Sequence, residues 1–434
     1  MVDVTGAYTH APIDQELYVD FPDGFGKGGP MVMKLKKALY GAHQSGRLWE
    51  HYCNDKITAL GYRANGKDAS IFTRSRNNVY SIIICYVDDF VIACTAGHID
   101  SIKREILDLF DCKDLGEIKL FLGIAITRDR PNRKLTLSME SYIKNVVKMA
   151  NLENAASAHT PMSNTTPILE PAEITTEFPY ITQLGRLFWI ARTTRPEIAF
   201  AVSLLARFSS CYGPSHIAVL NHIHRYLKET AHIGITYDGN KPFYEVAYSD
   251  ADFATQHGRK SITGSLVIMG GAAVAWSSKR QNTVSLSTME AEFTAVCHTA
   301  KEVLAIRQFL DDLGITYDSN VPTPILCDNQ AAIEALHNPT HKTRAKHIDI
   351  SYNFIRDEIE EGRLSVSFIP TRDNLADAFT KPLNYNQHWY LANSFLGIHE
   401  RHHSNILGDF FPRVLFALDQ REHVMSLSET ERLD

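Results

Sequence analysis

Between residues 79 and 93 the chain reads Val-Tyr-Ser-Ile-Ile-Ile-Cys-Tyr-Val-Asp-Asp-Phe-Val-Ile-Ala, two β-branched and aromatic stretches divided by an acidic pair. The pattern predicts two strands with Asp88 and Asp89 as their turn. A second series of apolar runs begins at residue 244. Tyr244 to Asp250 reads as a strand ending in a carboxylate, and residues 261–269 and 272–278 as two more strands around Gly270-Gly271. Phe293, Val296, Cys297, Ala300, Leu304 and Leu310 follow a helical period over residues 287–313. Residues 324–328 form a short buried strand ending in Asp328. A helix from about residue 345 closes at Gly362, residues 364–369 make the last strand, and Asp373-Asn-Leu-Ala-Asp377 opens a final helix. Between the two series, residues 138–152 look helical and 157–176 are a Pro/Thr-rich linker. Residues 184–206 and 215–228 predict two further helices around Thr193-Thr-Arg-Pro196, the second with an apolar face at Ala218, Val219, Ile223 and Leu227.

Two adjacent carboxylates at a hairpin tip repel each other and lose hydration, so a cation between them gives the placement a purpose. A solvated Asp-Asp turn is the alternative, and the tetrapeptide Tyr86-Val87-Asp88-Asp89 does not by itself separate the two. A third carboxylate lies in the short apolar strand Val2-Asp3-Val4.

At 434 residues and 44% hydrophobic, the chain can bury two or three cores. Its net charge of -6 argues against nonspecific polyanion binding, yet residues 27–76 hold ten Lys or Arg against Glu50, Asp55 and Asp68, a local footprint suited to a nucleic-acid backbone. A solvated surface is the alternative for any single lysine. Seven cysteines without a C-x-x-C pair read as reduced thiols in a cytosolic or nuclear protein. No signal peptide or membrane-length apolar run is visible, so no membrane partner is expected.

The ordered set Val2-Asp3-Val4, Ala7-Tyr8, Lys34-Leu-Lys-Lys-Ala-Leu-Tyr-Gly41, Gln44-Ser45, Arg47-Leu-Trp49, Tyr86-Val-Asp-Asp89 and Phe121-Leu-Gly-Ile124 resembles the reverse transcriptase of copia-type LTR retrotransposons. The resemblance implies that Asp3, Asp88 and Asp89 are the palm carboxylates, Asp3 and Asp88 being the direct ligands of two Mg²⁺ (or Mn²⁺) ions that clamp an in-line phosphoryl transfer. Tyr8 would gate against a ribose 2′-OH; a core tyrosine is the alternative. Tyr40 and Gln44 would line the nucleotide pocket, and Lys34, Lys36, Lys37, Arg47 and the primer-grip Gly123 would touch nucleic acid. Ala42-His43 stands where the family usually has Leu-Lys, removing a fixed positive charge.

The later blocks Tyr248-Ser-Asp-Ala-Asp-Phe-Ala254, Trp276 to Gln281, Met289-Glu-Ala-Glu-Phe293, Asp328-Asn-Gln330, Lys346-His-Ile-Asp-Ile350 and Leu375 to Leu383 resemble the ribonuclease H of the same family. The resemblance implies an acidic tetrad, Asp250, Glu292, Asp328 and Asp377, holding two further Mg²⁺ or Mn²⁺ ions. Ser287-Thr-Met-Glu290 has the S-x-x-E form of a capping box, which gives Glu290 a structural role and leaves Glu292 for the ion. Periodicity alone does not separate the two glutamates. Asp250 and Asp252 share a face if the strand continues, and Asp250 is chosen on family register. The loop Ile369-Pro-Thr-Arg-Asp373 has no histidine, leaving product release to Arg372 or solvent. His347 and Asp349 are either a hybrid contact or a helix-packing pair.

The expected fold class is thus a multidomain α+β and α/β chain. Its expected parts are a reverse transcriptase palm and start of thumb over 1–156, a linker and helical thumb/connection over 157–243, a ribonuclease H-like domain over 244–384 and a C-terminal tail over 385–434. Arg186, Arg192, Arg195 and Arg207 are candidates for backbone contacts in the connection. The implied partners are an RNA template, a DNA primer, an RNA–DNA hybrid and deoxynucleoside triphosphates, in the cytoplasm (virus-like particle) or nucleus. Since Met1 directly precedes the first carboxylate, the reading is of a polyprotein truncated at its N-terminus, with fingers, protease and integrase missing. Three functions follow: an RNA-directed DNA polymerase with ribonuclease H, a remnant retaining only ribonuclease H, or a noncatalytic nucleic-acid-binding relic.

Overall fold

A computed structural model describes residues 1–22, 24, 32–174, 177–253, 258–315, 321–337 and 346–398, the side chains of 346–351 excepted. Ala254, the side chains of His347 and Asp349, and residues 399–434 therefore lie outside the described residues. The chain divides into two units, residues 1–126 with 300–322, and residues 127–299 with 323–434.

The first unit opens with β1 (Val2–Val4), β2 (Tyr18–Asp20), β3 (Val32–Lys34) and α1 (Ser45–Ala59). It continues through β4 (Arg63–Ala64), β5 (Ile71–Arg76), β6 (Val79–Tyr86), β7 (Asp89–Cys94), α2 (Ile99–Leu107), β8 (Cys112–Asp114), β9 (Leu120–Phe121) and β10 (Ile124–Asp129), whose last residues pass into the second unit. Six strands form one antiparallel sheet in the order β4-β5-β6-β7-β1-β8, with β2 and β3 paired separately. On α1, Ser45, Trp49, Cys53 and Ile57 recur every four residues and are buried, which turns one helical stripe onto the sheet. Trp49, Cys53 and Ile57 meet Val2, Val4, Phe72, Ile83 and Phe90 from the strands and Ile106 from α2.

The acidic pair is not the hairpin turn. Tyr86 pairs with Asp89, so the turn is Val87-Asp88 and Asp89 is the first residue of β7. Val87 takes φ 55, a region costly for a β-branched residue. It is held there because Trp49 Nε1 donates to its carbonyl at 2.7 Å and the Val4 amide donates to the Asp88 carbonyl at 2.8 Å.

The second unit carries β11 (Lys134–Ser138), α3 (Glu140–Met149), α4 (Tyr180–Thr193), α5 (Ala199–Ala206), α6 (Pro214–Glu229) and β12 (Ile235–Asp238). Then come β13 (Val246–Asp252), β14 (Ile262–Met269), β15 (Ala272–Arg280), α7 (Thr288–Asp312), whose residues from Ala300 onward fall in the first unit, β16 (Thr323–Cys327), α8 (Gln330–His337), α9 (Lys346–Glu360), β17 (Leu364–Phe368) and α10 (Tyr385–Phe395). The helix expected over 184–206 is broken into α4 and α5 because Pro196 forces Arg195 out of the helical region, to φ -131 and ψ 67. Arg195 is not a backbone contact. It is fully buried, its Nε donating to Glu197 at 2.6 Å and its other nitrogens to the carbonyl and hydroxyl of Thr230.

Five strands form a sheet in the order β15-β14-β13-β16-β17, the first three antiparallel and β16 and β17 joining in parallel. With α7 crossing between β15 and β16, this is a ribonuclease H-like arrangement. The whole is a mixed α/β multidomain chain. The final helix expected from Asp373 is instead a short 3-10 turn, Leu375–Phe379, started by Asn374, whose side chain accepts from the Ala376 amide at 3.1 Å.

The tail boundary at 385 falls one helix too early. Leu391, Ala392, Phe395 and Leu396 are buried in one cluster with Tyr248, Leu266, Leu326 and Phe379, so α10 completes the core of the sheet domain. His388 of α10 also meets the Tyr226 hydroxyl at 3.1 Å. Likewise the helices expected as a separate connection belong to the same unit as the sheet. Among the described residues no helix is long and apolar enough to cross a membrane.

Replacing Phe395 by Ala in the full chain should cost about 3–5 kcal/mol, as for a buried core aromatic, read as a lowered urea midpoint. A loss below about 1 kcal/mol would place α10 outside the core.

Candidate functional site

The sheet register brings the first two acids of the second unit together. In parallel pairing Ala247 lies beside Ile325 and Tyr248 beside Leu326, so Asp250 and Asp328 leave neighbouring strand ends at the same level. Asp250 is buried in β13, and Asp328 follows β16. On the third side the turn carrying Asp377 lies against β14. This approach requires Gly264, the partner of Asp250 across the strands, because a Cβ there would sit 2.7 Å from both the Ala376 carbonyl and Thr380 Cγ2. Asn374 fastens the turn by donating to the Ser249 carbonyl at 3.0 Å. Oxygens of Asp250, Asp328 and Asp377 all lie within 4.8 Å of one another.

Glu292 arrives from α7. Ala291 and Ala295, one turn apart, pack on Ala251 and let the helix come close to the strand. Glu292, Cys327 and Asp328 form a second group with ligand atoms within 4.8 Å, the Cys327 sulfur lying 3.9 Å from Glu292 Oε2. Glu290 points elsewhere: its carboxylate accepts from the Leu286 amide at 2.7 Å while its own amide donates to Ser287 Oγ at 3.2 Å. The reciprocal cap is made, with the carboxylate on the amide one residue before the Ser287 expected from a standard box. Asp252 is in neither group.

Crowding these acids in a dry pocket favours their neutral forms. Burial, then the charges of Asp250 and Asp328, push the Glu292 carboxyl up to about 9. Burial, then Asp250, push Asp377 up to about 7. Asp250 is raised too, chiefly by burial, against the Lys381 charge and a hydrogen bond donated by Thr380. Lys381 itself, 2.9 Å from Asp377 Oδ1, was not anticipated in any role. Gly264 was missed as well, although a glycine inside a strand signals close backbone approach.

In the first unit β1 lies between β7 and β8, and its register sets Asp3 opposite Asp89 on one side and Lys113 on the other. Directly opposed residues share a face, so Asp3 and Asp89 meet, and Asp88 follows from the hairpin turn. Burial, then Asp88 and Asp3, raise the Asp89 carboxyl. Among the described residues this trio is not one of the groups with ligand atoms within 4.8 Å.

Tyr40 stands over the same spot. Its ring lies 4.4 Å from that of Tyr8, and burial and the Asp88 charge raise its hydroxyl. Tyr8 is half-buried and packs on the core. The loop is held by Ser45, whose hydroxyl donates to the Leu39 carbonyl at 2.7 Å and accepts from its amide, and by Gly41 at φ 95. Gln44 caps α1 without a side-chain bond. Gly123 and Leu122, at φ 80 and 52, form the two-residue turn between β9 and β10, and Phe121 meets Tyr86 edge-on at 6.4 Å. Lys34 pairs with Glu16 and Arg47 with Asp14, whereas Lys36 and Lys37 are exposed. Arg372 pairs with Asp373 at 3.2 Å.

A reverse transcriptase (RNA-dependent DNA polymerase) family model matches residues 1–164. The chain is 35% identical over 411 residues to the retrovirus-related Pol polyprotein from transposon TNT 1-94 of Nicotiana tabacum, covering 92% of this chain and 31% of that protein. It is 30% identical over 312 residues to a putative transposon Ty5-1 protein of Saccharomyces cerevisiae, covering 70% of this chain and 100% of that one. The chain belongs to the copia/Ty1-type retrotransposon Pol family. It spans about a third of the length of the tobacco polyprotein. Of solved structures, a foamy viral protease-reverse transcriptase in complex with double-stranded DNA gives a TM-score of 0.49 at 13% identity over 85% of this chain and 56% of that one, too low to carry an argument. The copia-type assignment therefore rests on sequence.

A pH dependence follows for this Pol chain. Glu292 and Asp377 bind protons in the folded state at pH values where the unfolded chain, with carboxyls near about 4, has lost them. Their stabilising contribution is present in full below that value and is lost as pH rises through about 7 and about 9. Urea unfolding in chelator should show stability falling above roughly pH 5, and a Glu292→Gln, Asp377→Asn double variant should flatten the fall. An equal slope in the variant would show that other groups cause it.

Proposed function

We propose that this chain carries the RNA-directed DNA polymerase and hybrid-cleaving machinery of a copia-type element. Asp250, Glu292, Asp328 and Asp377 would be the carboxylates of the nuclease centre, and Asp3, Asp88 and Asp89 those of the polymerase centre. The observation that carries the reading is the convergence of Asp250, Asp328 and Asp377 within 4.8 Å from two strand ends and a turn far apart in sequence. A cluster of hard carboxylate oxygens fits Mg²⁺ or Mn²⁺. Such ions, when bound, supply an activated water and neutralise charge on the attacked phosphate.

The chain's own residues prepare for that. Thr380 donates to Asp250 and fixes its orientation, Lys381 steadies Asp377, and α7 holds Glu292 against the strand end. Within this reading the RNA strand of an RNA–DNA hybrid is the substrate of the second unit. In the first unit, Tyr8 and Tyr40 would flank a deoxynucleoside triphosphate beside Asp88, while the Leu122-Gly123 turn would meet the primer end on its RNA template. The setting would be a cytoplasmic virus-like particle or the nucleus. A second reading, in which hybrid cleavage is the sole activity, is favoured by the looser spacing of the palm acids, outside the 4.8 Å groups. Primer extension on an RNA template separates the two readings.

Purified full chain should cut hybrid RNA with Mg²⁺ or Mn²⁺. Asp328→Asn should reduce cleavage by about a hundredfold or more, a loss of about 3 kcal/mol in transition-state stabilisation, with the thermal transition retained. Glu290→Gln should remain within about threefold of wild type, since glutamine can still cap, and Glu292→Gln should not. The reverse ranking of the two glutamates would overturn the assignment.

A further inference from the structure

Lys381 pairs with one acid of the carboxylate group. Its side chain follows Asp377 by four residues, at the end of the 3-10 turn, and its Nζ lies 2.9 Å from Asp377 Oδ1. That oxygen is buried, so the ion pair is made out of reach of bulk water. The lysine charge also acts on Asp250 and Glu292, and the charge of Asp328 acts on it. Thr380 next to it donates to Asp250. The ammonium therefore lies against one member of the carboxylate group, with its side chain only 37% exposed against 5% for Asp377.

We infer that Lys381 is a counter-cation built into this site, holding the carboxylates together when no ion is bound and lowering their affinity for a divalent cation. The inference rests on the reading of these acids as an ion-binding group. Its physical basis is that like charges in a dry pocket need a compensating charge nearby, and that the same charge repels an incoming cation. A purely structural ion pair would behave differently. Breaking it would loosen the pocket and weaken ion binding along with stability, whereas removing a counter-cation moves the two in opposite directions.

The test uses the full chain in an Asp3→Asn, Asp88→Asn background, which removes the palm acids, with Lys381 intact or changed to Met or Arg. Calorimetric titration with Mg²⁺ should show the Met variant binding about tenfold or more tighter than the parent. Its thermal transition in chelator should fall by several degrees. The Arg variant, which keeps the charge, should resemble the parent in both. Equal or weaker Mg²⁺ binding by the Met variant overturns the inference. If that variant is unfolded in chelator, added Mg²⁺ must refold it, and failure to do so also overturns the inference. Mg²⁺ binding that Asp328→Asn abolishes, in a wild-type chain that cuts no hybrid, would refute the nuclease function without touching the counter-cation role.

Discussion

Burying several carboxylates at one point is the constraint around which the second unit is built. Isolated charges in a protein interior cost several kcal/mol each after relaxation, so the pocket survives by taking up protons and by holding Lys381 beside Asp377. Each wall is shaped by the need to bring backbone close to backbone. Gly264 admits the turn, Ala251 with Ala291 and Ala295 admits the helix, and parallel pairing of β13 with β16 levels Asp250 with Asp328. None of these glycine and alanine residues is itself an acid of the group. All of them set the distances between its acids.

The first unit handles the same repulsion differently. Its acids are spread over β1, a turn and the start of β7, with Lys113 as the other cross-strand neighbour of Asp3. Strain replaces burial as the local cost: Val87 holds φ 55, fastened by Trp49 from α1. Trp49 thus links the buried stripe of the helix to the position of the acidic turn. This gives its place eight residues after the Leu-Tyr-Gly block a mechanical meaning.

Another buried polar group ties α6 to α10. Arg195 donates to Glu197 and Thr230, the Tyr226 hydroxyl donates to Glu197, and Tyr226 reaches His388 of α10. Burial lowers His388 to about 3, so at neutral pH it is an uncharged partner suited to that setting. The arginine that sequence alone offered to nucleic acid is consumed here.

The sequence by itself determined the family and most strand and helix positions, because periodicity, turn residues and short motifs are local signals. Glu290 was separable from Glu292 in the same way, through its three-residue spacing from Ser287. Only the tertiary structure decided that Val87-Asp88 rather than Asp88-Asp89 makes the turn, that Asp373 opens no helix, and that α10 is core rather than tail. It alone placed Lys381 among the acids and showed why Gly264 carries no side chain. These depend on which strands pair, in what register, and on which surfaces meet across long separations. No window of residues contains that information, since the interactions that set it exist only once the chain has folded.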